Sequence, residues 1–463
     1  MEWLVGLWVL LVIVFLTRWF LFGEKENMGK KAKFPRGSSG WPLLGETLDF
    51  IASGYSSKPV SFMEKRKSLY GKVFKTSILG NGVIVSTDPE VNKVVLQNQG
   101  NMFVPAYPKS IRELMGEHSI LQMNGNLHRK VHALLVSFLR SPQLKARITK
   151  DIEISVKNCF SAWKSHQPIY IQDEVKKITF TILVKVLMSM DGGEDLEFLR
   201  REFGEFIKGL ICLPVKFPGT RLYKSLKAKE RMLKMVRKIL EERKGDDAAE
   251  EAEKGVVNDA VDVLLRDNSM PTLSAETISG NIVEMMIPGE ETLPTAMTLA
   301  VKFLSDCPLA LTKLQEENME LQRLKTYSIN GYSWTDYMSL PFTQNVISET
   351  LRMANIVNAI WRKAVKEVEI KGYLIPKGWC VMASLTSVHF DEKIYENPYE
   401  FNPWRWEKMG AVVSNNCFTP FGGGQRLCPG IELSRLELSI FLHHLVTSYR
   451  WVAERMKLST FQQ

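Results

Sequence analysis

The chain has 463 residues, 45% of them apolar and 24% charged, with a formal net charge of +9. This length allows one large domain or two to three ordinary ones. The positive excess is modest, and no tract of Lys and Arg is interleaved with aromatic residues, which argues against a nucleic-acid partner. It suits a membrane surface or an acidic protein better. The six cysteines show no CxxC pair and no regular spacing, so we expect reduced thiols rather than a disulfide framework or a zinc ribbon.

The N-terminal end is the most apolar part of the chain. Residues 3–22 are interrupted only by Arg18 and approach the ~20 residues that span a bilayer. Basic residues follow this stretch, and no small-residue cleavage site is evident, which favours an anchor over a cleaved signal peptide. We therefore predict a transmembrane signal anchor over 1–23, a basic and Pro/Gly-rich hinge over 24–45 and the main domain over 46–463, on the cytoplasmic side.

The first elements of the main domain follow from turn and capping residues. Two β-like runs, Val73 to Ile78 and Val83 to Ser86, flank a Gly-Asn-Gly turn and predict a β-hairpin. Asp88 and Pro89 then predict a helix start, with Asp88 as the N-cap and Pro89 in the first position.

Helical periodicity dominates from Ile148 onward. Two helices are predicted from Arg201 to Gly209 and from Tyr223 to Lys244, and the charge-rich stretch from Asp246 to Lys254 is predicted to be an exposed loop. Three short β-like runs return near the C-terminal end, separated by turn residues: Val368 to Ile370, Tyr373 to Ile375 and Cys380 to Ala383. The pattern predicts a mainly α fold with a minor β-sheet region.

A long apolar segment from Ser274 to Asp306 is interrupted near its middle. Ser274 is a candidate N-cap, whereas Pro288 and Gly289 both weaken a helix. One interpretation is two helices with a break. The other is a distortion that opens a groove beside a ligand.

Cys428 lies just before a second long apolar helix, predicted from Ile431 to Leu445. The helix N-terminus and Arg426 favour a thiolate. The glycines at 422–424 leave room for backbone amides to approach the sulfur. A thiolate held in this way is a soft metal ligand, although a cysteine taken alone is more often a buried apolar residue.

The wider motif decides between these interpretations. The pattern Phe421-x-x-Gly424-x-Arg426-x-Cys428-x-Gly430 resembles the haem-binding signature of the cytochrome P-450 family. The resemblance implies haem b, held between a long central helix and the cysteine loop. It also implies that Cys428 is the axial ligand of the haem iron and that the Phe421 position contacts the cofactor.

The same resemblance covers most of the chain. The central segment is similar to the family's oxygen-binding groove: Gly289, Glu291 and Thr292 match, and Pro288 departs from the pattern. This implies that Gly289 faces the cofactor, that Thr292 donates a hydrogen bond to bound dioxygen, and that Glu291 helps to deliver protons.

Charged residues elsewhere match two further family features. Glu349 and Arg352 lie three apart, a spacing that alone usually marks a solvated helix face. Together with Arg405, in the run FNPWRW, they resemble the family's structural ion-pair network. Four more residues match positions that contact the haem propionates in the family: Arg362, Arg426, His128 and His132. Histidine at 132 departs from the arginine that many members carry.

The resemblance implies a monooxygenase that takes electrons from an NADPH–cytochrome P-450 reductase, uses dioxygen and is anchored in the endoplasmic reticulum membrane. Segments such as 102–123 and 285–287 match the family's substrate-recognition regions and suit a hydrophobic substrate in contact with membrane lipid. The runs MMIPGEETLPTAMTLAVKFLSDCP and IKGYLIPKGWC resemble the plant brassinosteroid hydroxylases, with C-23 hydroxylation of a campestanol-derived steroid expected.

Several alternatives stay open at this point. Hydroxylation at C-22, or of another steroid or triterpenoid, is the nearest. A haem-thiolate isomerase or dehydratase usually lacks the groove threonine, so Thr292 argues against it. The chain after Trp451 is shorter than is usual in the family, where a strand hairpin follows. A haem-binding but inactive, C-terminally shortened variant is therefore a further alternative.

Overall fold

The computed structural model describes Val14 and residues 32–454, apart from 43, 55, 57, 79, 99–100, 244–256, 267–272, 327–330 and 410–415. The predicted anchor, except for Val14, and residues 24–31 of the hinge lie outside the described residues, as does the whole of the predicted loop at 246–254. Among the residues that are described, no helix has the length and apolar character needed to cross a bilayer.

The chain divides into two units. The first comprises the described residues within Met1–Ala106, Val357–Glu396 and Asn415–Gln425. The second comprises those within Tyr107–Ile356, Asn397–Ser414 and Arg426–Gln463. The described part of the chain is mainly helical, with its strands confined to the first unit, as the sequence predicts.

The first unit contains all seven described strands and four helices. Its strands are β1 Val73–Ile78, β2 Asn81–Ser86, β3 Phe103–Pro105, β4 Ala359–Ala364, β5 Val368–Ile370, β6 Tyr373–Ile375 and β7 Cys380–Ser384. Its helices are α1 Thr47–Gly54, α2 Ser61–Tyr70, α3 Pro89–Gln97 and α17 Leu385–His389. Five strands form one sheet in the order β1-β2-β7-β4-β3, in which only β2 and β7 are parallel, and β5 pairs with β6 in a second sheet.

The predicted hairpin is confirmed. Its second strand begins at Asn81, two residues earlier than predicted, because the turn is tight and Gly80 takes a positive φ of 75°. The predicted N-cap is also confirmed, since the carboxylate of Asp88 accepts hydrogen bonds from the amides of Glu90 and Val91. All three predicted strands after β4 are present, and β7 extends one residue further, to Ser384.

The second unit is a helical assembly. Its helices up to the central segment are α4 Lys109–Met115, α5 Gly125–Arg140, α6 Pro142–Ser161, α7 Ile171–Met188, α8 Glu194–Ile207, α9 Arg221–Glu242 and α10 Ala260–Leu265. The later ones are α11 Ala275–Met285, α12 Ile287–Glu290, α13 Thr292–Asp306, α14 Pro308–Lys325, α15 Trp334–Met338, α16 Pro341–Ala354 and α18 Ile431–Ser448. A short 3-10 turn covers Pro403–Glu407, and a second, Gly424–Arg426, crosses from the first unit into the second.

The predicted bounds of two helices are wrong at both ends, and the first of them stops at Ile207 rather than Gly209. Helix α8 begins at Glu194, seven residues before the predicted start at Arg201, because three acidic residues in its first turn suit the positive end of the helix dipole. Helix α9 runs two residues ahead of the prediction at both ends, since Thr220 caps it by accepting from the amide of Tyr223.

The central segment is interrupted where the sequence predicts. Ser274 caps α11 by accepting from the amide of Thr277, and the helix stops at Met285. A four-residue helix follows, and α13 begins at Thr292. Both junction residues, Met286 and Glu291, keep right-handed helical dihedral angles. The interruption is therefore a local distortion rather than a chain reversal.

Helix α18 lies in the core of the second unit. Twelve of its eighteen residues are buried, including polar ones such as Glu437, His443 and His444. It packs against α6, α14, α15 and α16. Cys428 is thus followed by the start of a rigid, enclosed helix.

Candidate haem-thiolate site

Cys428 lies in the second unit, between the 3-10 turn and the first residue of α18. The amide of Gly430 donates a hydrogen bond to its sulfur, but burial is the stronger influence and raises the pKa of the free thiol. Burial and the amide donor thus act on this pKa in opposite directions. An amide donor to a coordinating sulfur is the kind of supporting contact that orients and tunes a metal thiolate.

The glycine and aromatic positions of the motif ahead of the cysteine, Gly424 and Phe421, fall in the first unit. Gly424 has a φ of +63°, and a Cβ atom there would lie 2.3 Å from the carbonyl oxygen of Leu96. Only glycine fits this position. Phe421 is half-buried. Arg362, on β4, is also in the first unit; its side chain is buried and donates to the carbonyl of Trp361 at 3.0 Å.

Arg426 anchors the segment that leads into α5. Its guanidinium donates to the carbonyl oxygens of Ile120 (3.3 Å), Leu121 (3.2 Å) and Met123, and to the side-chain oxygen of Asn124 (3.1 Å). Within the second unit, the cysteine loop is therefore tied to the loop between α4 and α5. The predicted propionate contact of Arg426 would add to these bonds.

The two predicted histidines lie side by side on α5. Their rings stack with centroids 5.4 Å apart, and His128 is buried. The Nε2 atom of His132 donates to the carbonyl of Leu427 at 2.7 Å. His132 therefore fastens α5 to the residue that precedes Cys428, a role that sequence reasoning did not foresee because the two partners are 295 residues apart.

The groove residues cluster at the α12–α13 junction. The hydroxyl of Thr292 donates to the carbonyl of Pro288 at 3.3 Å, and the side chain of Glu291 is exposed. Pro288 has no amide hydrogen to continue the helical ladder. Thr292 and Glu291 thus occupy the first turn after a distortion, with the hydroxyl already directed towards the interrupted backbone.

Helix α7 holds this junction from the side. The hydroxyl of Thr179 lies 2.5 Å from the carbonyl oxygen of Gly289, its shortest contact, and 2.9 Å from that of Val175 on its own helix. A Cβ atom at Gly289 would lie 2.9 Å from the side chain of Leu183. Lys176 and Glu290 form an ion pair of 3.1 Å. The packing of Gly289 against α7 explains the glycine on structural grounds, beside its predicted role at the cofactor.

Glu349 is the centre of a saturated buried network. Arg352 donates two hydrogen bonds to its carboxylate, at 2.9 and 2.8 Å, and Arg405 donates a third at 2.9 Å. The indole of Trp406 and the amide of Asn402 complete it at 3.0 Å each. The side chains of Glu349 and Arg352 are both 0% exposed. The structure brings the three predicted residues together, and Trp406 and Asn402 are partners that the sequence did not predict.

A cysteine at a glycine-bounded turn, an interrupted central helix and a buried glutamate–arginine network together define a haem-thiolate protein. The cytochrome P-450 family profile matches residues 35–463, and the chain belongs to that family. It is a monooxygenase with haem as its cofactor. The sulfur with its amide donor, and the close turn that requires Gly424, fit this group.

Curated relatives narrow the branch. The chain is 65% identical to the Arabidopsis thaliana protein "3-epi-6-deoxocathasterone 23-monooxygenase CYP90C1", over 93% of this chain and 82% of that protein. It is 53% identical to "3-epi-6-deoxocathasterone 23-monooxygenase CYP90D1" of the same plant, over 93% and 87%. Another Arabidopsis thaliana relative, "3beta,22alpha-dihydroxysteroid 3-dehydrogenase", is 41% identical over 98% and 94%.

A solved structure supports the fold independently. "Retinoic acid bound cyanobacterial CYP120A1" superposes with a TM-score of 0.79 at 25% identity, covering 92% of this chain and 94% of that one. The mainly α arrangement with its minor sheet is therefore that of a cytochrome P-450.

Proposed function

We propose that this enzyme hydroxylates C-23 of a brassinosteroid precursor that carries hydroxyl groups at C-3 and C-22. The observation that supports it is the 65% identity to a protein named as a 23-monooxygenase, with a second such relative at 53%. The relative whose name specifies hydroxyls at positions 3 and 22 supports the same substrate class.

The residues of the site have separate tasks in this proposal. Haem, when bound, supplies the activation of dioxygen and its transfer to a C–H bond. Cys428 would hold the haem iron through its sulfur, on which the Gly430 amide acts as a hydrogen-bond donor. Thr292 would turn its hydroxyl away from the Pro288 carbonyl to donate a hydrogen bond to dioxygen, and the exposed Glu291 would exchange protons with water.

Product analysis tests the substrate and the carbon. The full chain with a plant reductase and NADPH is supplied with a 22-hydroxylated campestane steroid and with its unhydroxylated parent. We expect a product hydroxylated at C-23 from the first and little from the second. Hydroxylation of the parent steroid at C-22 would show instead that the enzyme is a C-22 hydroxylase.

The iron ligand is tested without turnover. Cys428→Ala is expected to lose the carbon-monoxide difference band of the reduced thiolate-bound haem. Cys417→Ala, which changes a buried cysteine outside the motif, is expected to keep it. A Cys428→Ala protein that retained the band would place the ligand elsewhere.

We also propose that residues 1–23 anchor the enzyme in the endoplasmic reticulum membrane with the catalytic part in the cytoplasm, and that an NADPH–cytochrome P-450 reductase supplies its electrons. The apolar run and the basic residues that follow it support this topology. Carbonate extraction of microsomes checks the anchor: full-length protein is expected in the pellet, and a variant lacking residues 1–23 is expected to be released in larger part.

A further inference from the structure

A polar cluster is buried on the central helix ahead of the groove. Glu284, in the last turn of α11, is 4% exposed. The hydroxyl of Ser119 donates to its Oε2 atom at 2.5 Å. One turn earlier on the same helix, Asn281 accepts from the amide of Ile120 at 2.7 Å. The loop that follows α4 is therefore fastened to α11 at two consecutive residues.

The second oxygen of the Glu284 carboxyl is not used by this cluster. Oε1 is buried and has no hydrogen-bond partner within the described part of the chain. Lys229 of α9, whose charge acts on this carboxyl, donates instead to the carbonyl oxygens of Leu114 (2.9 Å) and Met115 (2.6 Å). Buried polar atoms without a partner are rare in native proteins and costly, so each one calls for an explanation.

The Glu284 carboxyl is able to form hydrogen bonds in both of its protonation states. Burial raises the pKa of Glu284 to about 7, with Ser119 and Lys229 acting in the opposite direction. Near neutral pH both forms are present. The carboxylate accepts hydrogen bonds, and the acid both donates and accepts them, so either form can bind a hydroxyl group.

Glu284 lies on the same central segment of the chain as the groove residue Thr292. It lies eight residues before Thr292, which corresponds to about 12 Å along a helix axis. Its neighbours in the predicted substrate segments are half-buried apolar side chains: Met285, Ile287, Ile120 and Leu121. Apolar ligand sites typically contain a few placed polar groups that fix the orientation of the ligand.

We propose that Glu284 is a specificity-determining residue whose Oε1 atom forms a hydrogen bond with the substrate hydroxyl remote from the oxidised carbon, the one at C-3. This rests on the proposed function, because it takes the substrate to be a hydroxylated steroid. A steroid with its side chain at Thr292 extends its ring system along the helix towards Glu284. Since Oε1 is enclosed in this structure, the ligand must displace the loop that carries Ser119 to reach it.

The experiment measures binding rather than turnover. The haem-loaded full chain is titrated with a 22-hydroxylated campestane steroid and with its 3-deoxy analogue, and the shift of the Soret absorbance gives each dissociation constant. The proteins are wild type, Glu284→Leu, the isosteric Glu284→Gln, and Glu276→Gln. Glu276 is an exposed glutamate on the same helix and serves as the matched control.

We expect the wild type to bind the 3-hydroxysteroid about 10-fold more tightly than the 3-deoxy analogue, as for one well-placed hydrogen bond in a buried site. Glu284→Leu should lose that preference by weakening only the hydroxylated ligand. Glu284→Gln, which keeps a donor and an acceptor, should retain most of it, and Glu276→Gln should match the wild type.

Three results would overturn the proposal. The wild type could bind both steroids equally, which needs no variant to fold. Glu284→Leu could weaken both ligands by the same factor, which is the mark of a packing defect. The wild type could bind neither steroid, in which case the proposed function fails as well. Tight binding of the 3-hydroxysteroid with oxidation at a carbon other than C-23 would remove the proposed regiochemistry and leave Glu284 in place.

Discussion

Two buried glutamates of the second unit have opposite surroundings. Glu349, on α16, accepts five hydrogen bonds from two arginines, an indole and a backbone amide. Glu284, on α11, accepts one, from Ser119, and its other oxygen has no partner among the described residues. A saturated carboxylate has no capacity left for a ligand, whereas an unsaturated one does.

The difference separates two uses of a buried acid. The Glu349 network joins α16 to the Pro403–Glu407 turn, and Arg352 also donates to the carbonyl of Pro398 at 2.7 Å. All of its bonding is internal, which is what a structural brace requires. Glu284 instead joins a loop to the central helix by one hydrogen bond. Its second carboxyl oxygen has no hydrogen-bond partner among the described residues. Substitutions at Glu349 and at Glu284 test these two roles separately.

The largest expected effect comes from substituting Glu349, whose carboxylate accepts five hydrogen bonds. Glu349→Gln replaces one carboxylate oxygen with an amide nitrogen that faces donors and leaves the two arginines without a counter-charge. We expect a loss of about 3–5 kcal/mol in the free energy of unfolding, as for a broken buried ion pair. Urea unfolding followed by tryptophan fluorescence measures it.

An exposed pair provides the matched control. Arg323 also makes two hydrogen bonds to a glutamate three residues earlier, Glu320, but both side chains are more than half exposed. Glu320→Gln should leave the unfolding midpoint unchanged within error. If Glu349→Gln proved equally harmless, the network would not be a structural brace.

A smaller effect is expected for Glu284, and it depends on pH. The folded-state pKa is about 7 against an ordinary value of 4.5. Between these values the unfolded chain releases the proton while the folded chain keeps it, so this residue lowers stability as pH rises from about 4.5 to about 7. The total is about 3 kcal/mol, and above pH 7 it stays constant.

Comparing wild type with Glu284→Gln isolates this contribution. The wild type also contains His443 and His444, whose burial lowers their pKa values to about 4 and about 3, so that stability falls below pH 6.5. That part is common to both proteins and cancels in the difference. The wild type should therefore lose stability relative to the variant between pH 5 and pH 7. A difference that is flat with pH would mean that Glu284 titrates normally.

The parts of this molecule that could be predicted are those fixed over short sequence distances. The β1–β2 hairpin, the Asp88 cap and the Glu349–Arg352 pair each depend on residues a few positions apart. The family resemblance adds two predictions: that Arg405 joins the Glu349–Arg352 pair, and that Cys428 binds the cofactor. The Ser119–Glu284 bond joins residues 165 apart, and the Thr179–Gly289 bond joins residues 110 apart. No spacing in the chain announces either one, so only the packed structure shows which hydroxyl meets which acceptor.

The interruption of the central helix shows both what the sequence predicts and what it does not. Pro288 and Gly289 predict the break, and the structure places it there. They do not predict what holds the distorted turn in place. That role falls to α7, through the hydroxyl of Thr179 on the Gly289 carbonyl and the Lys176–Glu290 ion pair. The Thr179 bond should matter for the groove because it orients the peptide just before Glu291.

The smallest expected effect on stability therefore comes from Thr179→Val, which keeps the shape of the side chain and removes the hydroxyl. We expect a loss of about 1 kcal/mol in the free energy of unfolding, because one buried hydrogen bond is lost. We also expect faster amide hydrogen exchange over residues 287–296, and more NADPH oxidised for each molecule of steroid product.

A neighbouring threonine separates a groove effect from a helix effect. Thr181, also on α7, donates its hydroxyl to the carbonyl of Lys177 on its own helix and accepts from Arg200 of α8, and neither partner belongs to the central helix. Thr181→Val should change neither the exchange of residues 287–296 nor the coupling of NADPH to product, and Thr179→Ser should restore both to near wild type. If Thr179→Val lowered stability but left exchange and coupling unchanged, Thr179 would only pack α7 against the central helix, and the groove would keep its geometry without it.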